Sequence, residues 1–96
     1  MASRPWQTNA SARLVEFIGR RSLNEADVQF IIDFVRRLII DPFDVPANKD
    51  HVGEWHCHIG QSSTFPGSTL AVTFQIDRDY RYVSVISFEL LPTRGG

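Results

Sequence analysis

Apolar and polar residues alternate through three successive segments in the second half of the chain. In the segment GEWHCHIG, the two alternating sets are Trp55, Cys57 and Ile59, and Glu54, His56 and His58. The segment TLAVTFQI repeats the alternation, and YRYVSVISFELL carries β-branched and aromatic residues at both sets of positions. A period of two with this composition is typical of β-strands. The sequence therefore predicts a three-stranded meander between about residues 54 and 91.

Two helices are predicted before the meander. The apolar stripe of the first helix consists of Leu14, Val15, Phe17 and Ile18. Asn9 or Ser11 is expected to cap the N terminus of this helix, and Gly19 is expected to end it.

The second predicted helix extends from about residue 23 to residue 40. Ser22 and Glu25 have the spacing of a capping box, and the Asp41-Pro42 pair is expected to end the helix. The apolar residues at helical spacing are Val28, Ile31, Phe34, Val35 and Leu38. The charged residues expected mostly away from this stripe are Asp27, Asp33, Arg36 and Arg37, among which Asp33 and Arg37 are spaced to pair weakly.

The order of the elements predicts an α+β fold of one domain over residues 1–96, in which a helical hairpin packs on a three- to four-stranded, mainly antiparallel sheet. Residues 1–8 could add a short edge strand or form an ordered tail. Residues 42–53 are rich in turn formers, residues 60–68 are expected to form a mobile loop, and residues 77–79 are expected to close the last hairpin.

Composition and charge restrict the function classes. The net charge of −1 argues against strong nonspecific attraction to nucleic acid, although all ten basic residues except Lys49 are arginines, which suit phosphate or carboxylate. The chain lacks the apolar core of a signal peptide, and charged residues interrupt its longest apolar stretch. We therefore expect a cytoplasmic protein with no membrane association. Cys57, the single cysteine, is expected to be buried and cannot form an intramolecular disulfide.

Several segments together resemble the RelE/ParE superfamily of bacterial toxins from toxin–antitoxin pairs. SARLVEFIGR resembles the first helix of that family, LNEADVQFIIDFVRRLIIDP the second helix with its terminal proline, and VGEWHCHIG the following strand. LAVTFQID and YRYVSVISFELL resemble the closing hairpin, so the similarity covers roughly residues 5–91. The resemblance implies a strand and two helices before the meander, a cognate antitoxin-like partner, and either RNA on the ribosome or gyrase as the target.

The candidate site residues are two histidines of one strand, an arginine–tyrosine pair at the start of the last strand, and two arginines of the second helix. His56 and His58 leave the same face of a strand and, under the resemblance, would act as acid and base in metal-independent RNA cleavage. Arg81 would stabilise phosphate charge, with Tyr82 stacking or relaying a proton, and Arg36 and Arg37 are candidate substrate contacts. The alternatives are a solvent-facing polar strand for the histidines and, for Arg81, pairing with Asp77 or Asp79.

We expect no cofactor and no metal site. His51, His56 and His58 could together hold a transition metal, but a zinc site needs three or four ligands and Cys57 points away from the histidines.

Two functions remain open. The first is a toxin-type component that inhibits growth by cleaving RNA or by acting on gyrase. The second is a non-catalytic protein-interaction module of the same two-layer fold. Net charge near zero favours the second, as does the absence of His and Tyr after Leu91, where RNA-cleaving family members usually carry one. An RNA-directed site should gather arginines on the histidine face, whereas an interaction module should show an apolar patch.

Overall fold

The computed structural model describes residues 4–92 and contains two helices and five strands. The helices are α1 (Ala10–Arg21) and α2 (Glu25–Ile40). The strands are β1 (Gln7–Thr8), β2 (Asn48–Lys49), β3 (Trp55–Gln61), β4 (Ser68–Asp77) and β5 (Tyr82–Pro92). The predicted α+β class, with a helical pair on a mainly antiparallel sheet, is confirmed.

The five strands form one sheet in the order β1-β5-β4-β3-β2. The pairs β2–β3, β3–β4 and β4–β5 are antiparallel, and β1 runs parallel to β5 at the edge. The sheet has more strands than the three to four predicted because two-residue segments pair at both edges. One of these, β1, is the edge strand that residues 1–8 could have added, formed by Gln7–Thr8, and residues 1–3 of that segment lie outside the described residues.

The helices cover one face of the sheet, and the apolar residues of the three long strands point toward them. The buried strand residues on this face are Cys57, Leu70, Val72, Phe74, Val83, Val85 and Phe88. In β5 a bulge opposite Thr73 and Phe74, where Ile86 is the additional residue, shifts the alternation by one position, so that Val85 before the bulge and Phe88 after it both face the helices. The period-two pattern therefore follows mainly from burial against the helices, although Ala71 on the opposite face is also buried, with 6% exposed.

Helix α1 differs from its prediction in its stripe and at both ends. Leu14 and Phe17 are buried as expected, but the Val15 side chain is 70% exposed. Asn9 precedes the helix, yet its side chain makes no cap hydrogen bond. Its amide instead continues the β1–β5 pairing: Val85 N–H donates to Asn9 Oδ1 at 2.6 Å, and Asn9 Nδ2 donates to the Val85 carbonyl at 3.1 Å.

The turn between the helices explains why the predicted stop and the capping box were wrong. Gly19 lies inside α1, which continues until Ser22 adopts a left-handed conformation with φ of 51° and donates its N–H to the Ile18 carbonyl at 2.8 Å. Ser22 thus ends α1 and cannot cap α2. Asn24 caps α2 instead, because its Oδ1 accepts the N–H of Asp27 at 2.9 Å.

Helix α2 buries Ile31, Phe34 and Leu38 as predicted and ends at Ile40, before the Asp41-Pro42 pair. On its exposed side Asp33 pairs with Arg36 at 3.6 Å rather than with Arg37. In the described part of the chain, neither helix is long and apolar enough to cross a membrane.

Asp27 was predicted to lie away from the buried stripe of α2, but it is completely buried on that stripe. Its carboxylate accepts hydrogen bonds from the loop between β3 and β4. Oδ2 accepts from Ser62 Oγ at 2.6 Å and Thr64 N at 3.2 Å, and Oδ1 accepts from Ser63 N at 2.8 Å, with Ser63 Oγ at 3.1 Å. Burial alone would raise the pKa of Asp27, but these hydrogen bonds outweigh it and lower the pKa to about 2.

The loop after β3 is therefore tied to the first turn of α2 rather than free, contrary to the expectation of a mobile loop. A further hydrogen bond joins the two segments, because Asn24 N donates to Thr64 Oγ1 at 2.8 Å. The two ends of the loop are also joined to each other, because Ser62 N donates to the Ser68 carbonyl at 2.9 Å.

Three aromatic rings form a row, Trp6–Phe43–Trp55, that joins the N-terminal segment to β3. The ring centroids of Trp6 and Phe43 lie 5.9 Å apart and those of Phe43 and Trp55 lie 6.4 Å apart, both in edge-to-face geometry. Trp6 is a core residue, with 9% of its surface exposed. The backbone N–H of Trp6 donates to the Ile39 carbonyl at 2.7 Å, so the segment before β1 is attached to the end of α2.

We expect Phe34→Ala to lower the free energy of unfolding by about 3–5 kcal/mol, because the ring is 6% exposed between α2 and the sheet and its removal leaves a cavity. Urea denaturation followed by circular dichroism measures this loss. Phe30→Ala on the same helix, where the ring is 48% exposed, is the matched control and should cost about 1 kcal/mol or less. Equal losses in the two variants would contradict this packing of α2.

We expect Asp27→Asn to destabilise the fold by about 2–3 kcal/mol at pH 7. Each carboxylate oxygen faces two donors, so an amide nitrogen at either position would leave a backbone N–H without an acceptor. The control is Asp33→Asn on the exposed side of α2.

The same variant tests the pH dependence of stability. Because the pKa of Asp27 falls from 3.8 to about 2 on folding, its ionisation contributes about 2 kcal/mol that is complete above about pH 5 and is lost as the pH falls through 2. Denaturation at several pH values should show a smaller decrease between pH 5 and pH 2 in Asp27→Asn than in the unmodified chain. Parallel curves would show that Asp27 does not carry this dependence.

Candidate functional site

The face of the sheet opposite the helices carries both histidines, as predicted. We call this surface the open face. Along one row across the sheet, Asn48 is in register with His56, His56 with Thr73, and Thr73 with Ser87. In the neighbouring row His58 is in register with Ala71, and Ala71 with Glu89. His56 and His58 are exposed and line a shallow depression with Pro46 and Asn48.

His56 has partners at both ring nitrogens. Its Nε2 lies 2.7 Å from Asp50 Oδ2, and its Nδ1 lies 3.1 Å from Thr73 Oγ1. The two contacts fix the plane of the ring, while 49% of the side chain remains exposed. The hydrogen bond from His56 is the largest cause that lowers the pKa of Asp50 to about 2, and the backbone N–H of Glu54 contributes next.

Asp50 is held in place by a tight turn over residues 50–54. Its Oδ1 accepts the N–H groups of Val52 at 3.0 Å and Glu54 at 2.9 Å, and its own N–H donates to the Glu54 carbonyl at 2.8 Å. Gly53 has φ of 89°, a conformation that side chains disfavour. The turn leads directly into β3, which is why Asp50, Glu54 and His56 come together.

Arg81 is not near the histidines. It lies in the turn before β5 and has φ of 49°; its guanidinium stacks 4.7 Å from the centroid of the Trp6 ring and donates to the Arg4 carbonyl at 2.9 Å. These contacts replace the pairing with Asp77 or Asp79 that was the alternative to a phosphate-binding role. Strand β4 lies between β3 and β5. Arg81 precedes β5, whereas Ser87, which belongs to the row of His56, lies midway along that strand, so roughly 15–20 Å separates Arg81 from His56.

The remaining predicted site residues are also dispersed. Tyr82 begins β5, half-buried, in register with Asp77 at the end of the sheet where Arg81 lies. Arg36 and Arg37 are exposed on α2, on the side of the sheet opposite the open face. Arg36 pairs with Asp33 and borders an apolar groove between the helices. The structure thus places the predicted residues in three separate regions: His56 with His58, Arg81 with Tyr82, and Arg36 with Arg37.

The open face has little positive charge. Strands β3, β4 and β5 contain no Arg or Lys over their described lengths, while Glu89 and the adjoining Asp50 add negative charge. The strands around the histidines therefore supply none of the arginines that an RNA-cleaving site would need, and Arg13 and Arg20 of α1 border Ile86 and Ser87 only at the β5 side of the sheet.

A mainly apolar groove lies between α1 and α2 on the helical side of the described residues. Its lining residues are Ala10, Ser11, Leu14, Ile32, Val35 and Arg36. Apolar atoms dominate this lining, with Ser11 and Arg36 at the exposed rim. A groove of this kind suits a protein segment better than a small polar substrate.

Asp50 and Glu54 were not among the site residues predicted from the sequence. A signal was present, because alternation places Glu54 and His56 on the same side of a strand and Asp50 starts a turn that ends with Gly53. Thr73 could not be assigned in this way, since its contact with His56 depends on the register between β3 and β4.

Comparison of the chain with protein-family models, with curated proteins and with solved structures found no match. The assignment of function therefore depends on the geometry described above.

We expect native Cys57 to resist thiol reagents. Its side chain is 2% exposed beneath α2, and burial raises the pKa of the thiol, although the charge of Arg37 opposes this. Reaction with Ellman's reagent should be slow in the native state and fast in urea. A control chain with His58→Cys and Cys57→Ser places a thiol on the open face and should react quickly when folded. Rapid reaction of native Cys57 would show that β3 is shifted by one residue.

Proposed function

We propose that this chain is a toxin-type component of a toxin–antitoxin pair that acts by binding a protein rather than by cleaving RNA. The strand–helix–helix order before a meander, with the helices on one face of the sheet, supports the resemblance to RelE/ParE toxins. The observation that carries the choice of mechanism is the distribution of the candidate residues: the histidines, Arg81 and the Arg36–Arg37 pair lie in three separate regions.

The chemistry of RNA cleavage explains why this distribution matters. An acid–base pair must lie within hydrogen-bond reach of the atoms that exchange protons, and the phosphate charge must be stabilised at the same place. Arg81 is occupied with Trp6 and the Arg4 carbonyl, far from His56. Protein binding has no such requirement. The groove between α1 and α2 supplies the apolar surface that a partner would bury.

A protein-interaction module without growth-inhibiting activity is the second candidate. The same groove favours it, and the two candidates differ in what expression of the chain does to a cell. The cognate antitoxin-like protein and a gyrase-type target belong to the first candidate only.

Expression in a bacterium should therefore slow growth without fragmenting messenger RNA. We expect the double change His56→Gln and His58→Gln to retain inhibition, because the histidines are not the working groups. Ser11→Arg should reduce inhibition about tenfold or more, since an exposed rim residue becomes a long charged one that covers the groove. Ala12→Arg, one position along on the exposed part of α1 and outside the groove lining, is the matched control and should inhibit like the unmodified chain.

The readouts are growth rate and the length of cellular messenger RNA at equal protein level. Normal growth at high expression would contradict the toxin function and leave the interaction module. Loss of inhibition in the histidine variant, together with cleaved RNA in cells expressing the unmodified chain, would favour the ribonuclease instead.

A further inference from the structure

One group of side chains near the open face has no role in the proposed function. The potential ligand atoms of Asp50, Glu54 and His56 lie within 4.8 Å of one another. The group combines one imidazole nitrogen with two carboxylates, and it differs from the three histidines considered from the sequence. We propose that Asp50, Glu54 and His56 bind a divalent first-row transition-metal ion, for which Zn²⁺ is the test ion.

The spacing of the ligand atoms fits such an ion. Nitrogen and oxygen ligands lie about 2.1 Å from Zn²⁺, so adjacent ligands are about 3.0 Å apart in octahedral geometry and about 3.4 Å apart in tetrahedral geometry. His56 Nε2 and Asp50 Oδ2 are 2.7 Å apart. A shift of less than 1 Å would therefore open this contact enough for an ion to replace the shared proton.

The surrounding hydrogen bonds already orient two of the ligands. Thr73 Oγ1 contacts the Nδ1 atom of His56, which leaves Nε2 directed toward Asp50. The backbone N–H groups of Val52 and Glu54 occupy Oδ1 of Asp50, which leaves Oδ2 for the ion. Contacts of this kind, from groups that do not touch the metal, hold ligands in their binding orientation and strengthen binding.

Glu54 supplies an independent reason for a cation. Among residues 4–92 its carboxylate takes part in no hydrogen bond or ion pair, although it is partly buried and close to the carboxylate of Asp50. Two neighbouring carboxylates repel each other, and a divalent ion would remove that repulsion.

The donor set also indicates which ions fit. Imidazole together with carboxylate suits Zn²⁺, Ni²⁺ or Cu²⁺, whereas Mg²⁺ and Ca²⁺ prefer oxygen ligands alone. His56 is half-exposed and 26% of the Asp50 side chain is accessible, so water can complete the coordination shell. A bound ion would hold the turn over residues 50–54 to the start of β3.

The test is calorimetric titration of the untagged protein with Zn²⁺, because a polyhistidine tag would bind the ion itself. We expect one ion per chain with roughly micromolar affinity. Glu54→Gln and His56→Gln should each weaken binding about tenfold or more. His58→Gln, which changes the other histidine of the open face, and His51→Gln, which changes the histidine of the turn, are matched controls and should bind within about threefold of the unmodified chain.

Circular dichroism of the metal-free variants checks that each one is folded. Should His56→Gln unfold, Glu54→Gln still tests the site, because the Glu54 side chain makes none of the contacts that hold the turn. Proton NMR gives a second readout: Zn²⁺ should shift the ring resonances of His56 and leave those of His58 in place. Absence of saturable binding, equal loss in His58→Gln or His51→Gln, or unchanged binding in Glu54→Gln would overturn the proposal. None of these outcomes depends on growth inhibition, so the site and the proposed function can fail separately.

Discussion

The hydrogen bonds of the buried Asp27 carboxylate connect the helical layer to the sheet at one end of the molecule. A carboxylate is costly to remove from water, and it is stable here because each of its oxygens faces two donors from residues 62–64. Those donors belong to the connection between β3 and β4. The position of α2 therefore constrains the loop that joins the two central strands, and through it the strand β3 from which both histidines project.

The apolar residues of the helices and strands could be predicted from the sequence, whereas the burial of Asp27 could not. Alternation identified β3, β4 and β5 because a sheet buried on one face imposes a period of two, and Ile31, Phe34 and Leu38 were assigned correctly for the equivalent reason in a helix. Asp27 occupies a position on the same buried stripe, but its charge suggested solvent. Its partners lie 35 or more residues away, so no local pattern could reveal that the charge would be compensated.

Part of the candidate site could likewise be predicted from the sequence and part could not. The shared face of His56 and His58 follows from strand geometry and was predictable, as was the proximity of Glu54. The environment of Arg81 was not, because its hydrogen bond to the Arg4 carbonyl spans 77 residues of sequence and its stacking on Trp6 requires the same N-terminal segment to lie beside the last hairpin. Local spacing instead suggested acidic partners. Long-range packing thus determines whether an arginine is available for a ligand or is used to hold the fold.

The parallel pairing of β1 with β5 has a consequence for how the chain folds during synthesis. Asn9 contacts the backbone of Val85 across 76 residues of sequence, and the apolar stripes of α1 and α2 have no sheet to cover until the last strands have been made. The helices leave the ribosome first with their apolar stripes exposed. Closing such distant contacts late slows folding and prolongs that exposure. For this topology, the period before β5 emerges is when a nascent chain most needs protection from aggregation.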